Sequence, residues 1–318
     1  MIQFFIKQNF SFFKKRLIFV KKYKVLYRRK VILALLEVFG GSLEKISLQK
    51  LLFLACQKQK KPTFHFVPYK YGCFSFLANS DLTIMSKKGM ILSSEKEWKK
   101  TDPINYLSAL ESSDRNIIRH LKSSYGNFTQ SEIIHFTYSE YPYYAINSKI
   151  VEEVLQPSEL IYLKNTLPSR TGTAIYTIGY EGLAIEEYLN KLIINDIKIL
   201  CDVRNNPQSM KFGFSKSQLQ KICESLGIIY MHFPEVGIKS EERQNLKSQS
   251  DYNKLFEKYR STTLFKTTDD QRRIKSLLVE HKRIALTCFE KDICQCHRKS
   301  LSESISQLDG DDIEIRHL

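Results

Sequence analysis

Ala174-Ile-Tyr-Thr-Ile178 is a β-rich run that breaks into Gly179-Tyr180-Glu181-Gly182, and Ile197 to Arg204 is a second such run that stops in Asn205-Asn206-Pro207. Between them, Leu183 to Asn195 places apolar residues at Leu183, Ile185, Tyr188, Leu189, Leu192 and Ile193, the spacing of an amphipathic helix. Strand, helix, strand at this spacing is a βαβ unit, which demands parallel strands and a right-handed crossover. Phe214 to Leu226 predicts the next helix, with Ser215 as N-cap and Gly227 closing it. Ile228 to Pro234 predicts a third strand. Arg260 to His281 reads as a polar-faced helix leading into the apolar run Ile284 to Leu286, and Ile313 to Leu318 as a last short strand. The expectation is an α/β domain over residues 171–318 with a mainly parallel, Rossmann-like sheet.

Side chains just past the carboxyl ends of strands in an open α/β sheet face its ligand crevice. Here the run Ile284 to Leu286 is followed by Cys288, Glu290, Lys291, Cys294, Cys296, His297 and Arg298. Packing asks for no such mixture of thiols, carboxylate, amine, imidazole and guanidinium. The earlier strands add Tyr180 and Glu181, then Asp202, Arg204 and Ser209.

These segments also carry a resemblance. Thr-Ile-Gly-Tyr-Glu-Gly, Asp-Val-Arg-Asn-Asn-Pro-Gln-Ser, Gly-Phe-Ser-Lys-Ser-Gln-Leu, Gly-Ile-Ile-Tyr-Met-His-Phe-Pro, Cys-Phe-Glu-Lys with Cys-His-Arg, and a final Arg-His-Leu run in order over Thr173 to Leu318. Together they resemble the family called domain of unknown function 488. The resemblance implies a shared site at Tyr180, Glu181, Asp202, Arg204, Pro207, Ser209, Cys288, Glu290, Cys296, His297 and Arg298. One stretch departs from the family: where it continues with Leu-Gly-Gly, this chain has Val236-Gly237-Ile238. No function is carried onto Ile238.

Three chemistries compete at these residues. In one, Cys288 is a nucleophile whose thiolate is favoured by Arg204, Lys291 and Arg298, against the plainer reading of a buried strand-end thiol. In another, Cys288, Cys294, Cys296 and His297 bind zinc. The spacing lacks a paired C-x2-C knuckle, and adjacent Cys296 and His297 are not expected to reach one metal from a helix start. In the third, Arg204 and Arg298 form an anion cradle and Asp202, Glu181 and Glu290 act as acid or base groups beside His297, against a set of structural ion pairs. The expected assignment is Cys288, Glu290, Asp202 and Glu181 catalytic, with Tyr180, Arg204, Ser209, Cys296, His297 and Arg298 binding substrate, and neither metal nor cofactor.

Residues 28–165 read as a separate, mainly α unit. Arg29 to Phe39 predicts a helix closed by Gly40-Gly41, Ser42 to Cys56 a second helix capped by Ser47, and Phe64 to Tyr69 a strand. Tyr71 to Phe74 turns into a helix through Leu77, Leu82 and Met85, and Lys87 to Leu92 is a turn and strand. That order resembles a winged helix, and Leu48-Gln-Lys-Leu-Leu-Phe-Leu with Tyr71-Gly72 resembles Panacea-type antitoxin domains. Pro157 to Arg170 reads as the linker.

Charge locates the expected partner. The chain carries a net +15 at pH 7, and residues 1–30 hold ten Lys/Arg and no acid, a basic tail over 1–27. Residues 171–318 hold 22 basic and 21 acidic residues, so bulk charge does not fit that half to a long phosphate backbone. Nucleic acid is therefore expected through residues 1–165, and a phosphate-bearing, nucleotide or other anionic small molecule in the crevice. Seven cysteines do not make a secreted disulfide scaffold at this length, which points to a reduced cytoplasm, and no run is long and apolar enough to span a bilayer. The reading is a nucleic-acid-associated protein with an enzyme-like α/β domain. The alternative is a non-catalytic DNA-binding or protein-interaction regulator that senses a small ligand in the same crevice.

Overall fold

The computed structural model describes residues 24–165, 172–244, 246–310 and 313–318. The expected basic tail up to residue 23, residues 166–170 of the expected linker and residue 171 lie outside them. The chain divides into two compact units that meet in sequence between Lys164 and Asn165.

The N-terminal unit is mainly helical. It runs α1 (Tyr27–Val38), β1 (Ser42–Glu44), α2 (Lys45–Lys58), β2 (Val67–Tyr69), β3 (Gly72–Phe74), α3 (Phe76–Lys87), β4 (Ile91–Ser93) and β5 (Glu97–Lys100). Four helices follow: α4 (Ser112–Tyr125), α5 (Gln130–Glu140), α6 (Val151–Val154) and α7 (Pro157–Lys164). Each of Val31 to Leu36 in α1 and Leu48 to Cys56 in α2 is buried, the signature of helices covered on all sides. Gly40 and Gly41 close α1 with φ of 93° and 87°, a left-handed pair that other residues resist. Buried Asp81 on α3 takes Arg28 and Arg29 of α1 at 2.5 and 2.7 Å, which pins the two helices together. The small sheet has the order β1-β5-β4, and β2 and β3 form a separate hairpin.

Two expectations fail here. Ser47 is not a cap, because α2 begins at Lys45 straight after β1 and Ser47 lies buried inside the helix. Pro157 starts α7, where its missing N–H costs no hydrogen bond, so this part of the expected linker is helical.

The C-terminal unit is the α/β domain. Its strands are β6 (Ala174–Gly179), β7 (Ile199–Asp202), β8 (Ile229–His232), β9 (Arg283–Cys288) and β10 (Glu314–His317). All pair in parallel in the order β10-β6-β9-β7-β8. α8 (Ile185–Ile194) makes the β6-to-β7 crossover and buries Ile185, Tyr188, Leu189 and Leu192. α9 (Lys216–Ser225) follows its N-cap Ser215. The helix expected over Arg260 to His281 is split into a π turn at Arg260–Leu264 and α11 (Thr268–His281), with α10 (Gln249–Tyr259) ahead of them. α12 (Arg298–Ser306) starts just past the thiol-rich segment. Register places Gly179 beside Cys288 and Asp202 beside Thr287, so β6, β9 and β7 deliver their carboxyl ends to one edge. Among the described residues no helix is long and apolar enough to cross a membrane.

Candidate functional site

The site residues separate into two buried networks and a rim. The first network is Asp202 with Arg204. Two residues apart at the end of a strand, they point the same way, and Arg204 grips Asp202 with Nε at 2.8 Å and Nη2 at 2.5 Å. Arg204 Nη1 donates to Tyr180 Oη at 3.0 Å and to the Phe214 carbonyl at 2.9 Å, and Tyr230 Oη donates to Asp202 at 2.6 Å. Asp202 and Arg204 are buried. Their hydrogen-bonding groups are engaged within the fold, where Arg204 was expected as an anion fork and Asp202 as a base. Tyr180 stacks on Phe214 at 4.4 Å and closes the core.

The second network holds the thiols. Cys288 at the end of β9, with Cys296 and His297 before α12, places its ligand atoms within 4.8 Å of theirs, and all three residues are buried. Arg298 Nε donates to Cys296 Sγ at 3.1 Å, and its Nη2 donates to the Glu290 carbonyl at 2.6 Å. Arg243 bridges the Glu290 carboxylate and His297 Nδ1, the latter at 2.9 Å. His297 Nε2 lies 3.1 Å from the Val203 carbonyl. A carbonyl accepts and a guanidinium donates, so Nε2 bears the hydrogen and Nδ1 is bare. Tyr259 meets the imidazole edge-on at 5.6 Å.

Electrostatics divide the thiol pair. The hydrogen bond to Cys296, together with burial, pushes the Cys288 thiol well above its ordinary value. Burial alone would raise Cys296 too, but the Cys288 hydrogen bond, the His297 ring and the Arg298 charge outweigh it and hold Cys296 well below. Of the two thiols, Cys296 is the more readily ionised. The expectation named Cys288 as the activated thiol, and these shifts favour Cys296. Burial pushes Cys201 and Cys223 up as well.

The adjacency argument against a shared metal also fails. Cys296 is extended, with φ −127° and ψ 136°, while His297 has already turned helical, with φ −62° and ψ −17°, and that kink turns both side chains inward. Two thiols and an imidazole suit a soft cation such as zinc. Against that occupant, Arg243 holds His297 Nδ1 and Arg298 holds Cys296 Sγ, two positive charges on the atoms a metal would take. Cys294 is exposed and stands apart.

The remaining expected residues form the rim. Exposed Glu181 accepts from the Lys291 amide at 3.0 Å and fastens the loop after β9. Ser209 Oγ accepts from the Lys211 amide at 3.2 Å inside its own turn. Lys291 is exposed. Ile238, at the position that departs from the family, is buried in the core, and a side chain at Gly237 would collide with the backbone of Asn205 and Val203. Sequence reasoning missed Arg243, which lies in a polar turn (Ser240–Arg243) that carries no periodic signal.

Residues 184–305 match the family described as Domain of unknown function DUF488. No curated protein matches the chain. The match begins with α8, after β6, and ends within α12, so Cys288, Glu290, Cys296, His297 and Arg298 all lie inside the DUF488 region while Tyr180 and Glu181 precede it. Two polar atoms of this DUF488 site are buried without a hydrogen-bond partner: Arg298 Nη1 and Glu290 Oε2. A buried donor and a buried acceptor left open each cost stability.

Proposed function

We propose that the C-terminal domain is a thiol-dependent enzyme acting on an anionic, phosphate-bearing substrate, and that the N-terminal unit brings it to nucleic acid. The observation that carries this reading is Cys296 Sγ, 3.1 Å from Arg298 Nε, with Arg298 Nη1 and Glu290 Oε2 both buried without partners. Arg298 Nη1 is the donor for the substrate's negative oxygen. Cys296 Sγ bonds to the electrophilic centre and the leaving group departs with its electron pair. Glu290 Oε2 then takes a proton from water, the hydroxide releases the adduct from sulfur, and that proton goes to the departed group. Arg243 covers the thiols and is displaced as substrate enters.

The N-terminal half of the proposal rests on topology. Helix, strand, helix, helix, strand, strand with sheet order β1-β5-β4 is the winged-helix order, interrupted by the β2–β3 hairpin. Asn79, Thr83 and Lys87 recur every four residues on α3 and are exposed, a face suited to a groove.

The test is mass-spectrometric mapping with an electrophilic phosphate-ester probe on the intact protein, alongside metal analysis. Adduct at Cys296, lost in Arg298→Lys, supports the reading. Stoichiometric zinc that blocks the adduct, or labelling confined to Cys294, overturns it. For the N-terminal half, Asn79→Ala with Lys87→Ala is expected to weaken duplex binding with a lower salt slope, and unchanged binding rejects the assignment.

A further inference from the structure

The hairpin that interrupts the winged-helix order builds a cavity of about 580 Å³ with α2, α3 and the β4–β5 turn. That volume is in the range of small-molecule sites. Its lining sets four lysines, Lys45, Lys50, Lys70 and Lys96, against two carboxylates, Glu44 and Glu95, and adds the rings of Tyr69, Tyr71, Phe74 and Trp98.

Lys50 is the unusual member. It is 1% exposed, its ammonium donates to the Tyr71 carbonyl, and it lies 5.5 Å over the Tyr138 ring. No carboxylate pairs with it among the described residues. A buried charge is ordinarily paired; burial lowers the pKa of the Lys50 ammonium against the opposing pull of Cys73, and a bound anion would favour its charged form. Gly72 packs closely on this lysine: with φ at +86°, a Cβ there would fall 2.4 Å from the Tyr138 ring and 2.5 Å from Lys50 Nζ. Lys45, 5.0 Å over the Trp98 ring, adds a second cation at the mouth, and Tyr71 at the hairpin tip is 45% exposed.

We propose that this cavity holds a mononucleotide unit, its phosphate on Lys50 and Lys45 and its base against the hairpin rings. The unit comes either as a free nucleotide or as an unstacked nucleotide of a bound strand, and this site stands independently of the thiol chemistry in the other half.

Calorimetry on the full chain tests it with nucleoside monophosphates, the matching nucleosides, inorganic phosphate and a short single strand. The expected result is binding of a monophosphate or of the strand that falls by about tenfold or more in Lys50→Met, since a charged hydrogen bond is lost. Dependence on Lys50 for free monophosphates identifies the free ligand. Dependence for the strand alone identifies the strand. If Lys50→Met does not fold, Lys45→Gln and Lys70→Gln are read instead, each with a loss of about two- to fivefold expected from weaker rim charges. No binding by the folded wild type, phosphate binding as tightly as the monophosphates, or affinities that ignore these lysines would overturn the proposal.

Discussion

Arg298 Nε donates to Cys296 Sγ at 3.1 Å while Arg298 Nη2 holds the Glu290 carbonyl at 2.6 Å, so one guanidinium both charges the thiol and fixes the loop that carries its neighbouring acid. Arg298→Lys keeps the charge but cannot span both partners. We expect the titration midpoint of Cys296 to rise. Alkylation rate against pH measures it, and an unmoved midpoint would show that the ordering is set elsewhere.

The thiols themselves should separate by pH. The thiolate fraction of a small-molecule thiol falls about tenfold per pH unit below its pKa near 8.5. Cys296 is held well below the ordinary value, so its alkylation relative to glutathione should increase as pH falls from 9 towards neutrality, whereas Cys288, Cys201 and Cys223, all pushed up, should fall behind. Peptide mass spectrometry reads each site, and Cys288 reacting ahead of Cys296 would return the nucleophile to Cys288.

Asp202→Asn should act on stability before chemistry. It removes the carboxylate from a guanidinium that is 5% exposed, and breaking such a buried pair costs about 3–5 kcal/mol. Denaturant unfolding measures it. A loss below about 1 kcal/mol, the scale of a surface pair, would mean Arg204 is not dependent on Asp202.

Asp196→Asn gives a milder, pH-dependent result. Burial alone would raise the Asp196 pKa, but Lys198 and Arg283 outweigh it and lower it. A carboxyl lowered by folding contributes stability that is present above its unfolded pKa and is lost as pH falls below about 4. The side chain is 41% exposed, so about 0.5–1 kcal/mol is expected at neutral pH, and the variant should match wild type in acid. Asn also tolerates the left-handed φ of 51° at this position, so the substitution isolates the charge. A variant that remains weaker at pH 2 would point to backbone strain.

The parallel sheet and the helix after β6 were legible in the sequence because apolar spacing is local. Neighbour order was not: nothing in Arg283 to Cys288 says that it lies between the strands of Ala174 and Ile199. The pairing of Asp202 with Arg204 did have a signal, since residues two apart on a strand face the same way, but the anion-fork reading passed over it. Adjacent Cys296 and His297 were judged by helical geometry, and the extended backbone at Cys296 is what lets them converge. Gly179 carried a signal of its own: a Cβ there would fall on the Glu290 backbone, so the Thr177-Ile178-Gly179 turn is also a seat for the loop.

The insertion of β9 between β6 and β7 has a consequence for biosynthesis. Roughly a hundred residues separate the end of β6 from β9, so at about 5–20 residues per second the ribosome leaves the middle lane empty for on the order of ten seconds. During that time the facing edges of β6 and β7 are unpaired and apolar, the condition under which nascent sheets recruit chaperones or join with one another. Slowing translation ahead of codon 283 should therefore lower soluble yield more than slowing it after codon 288.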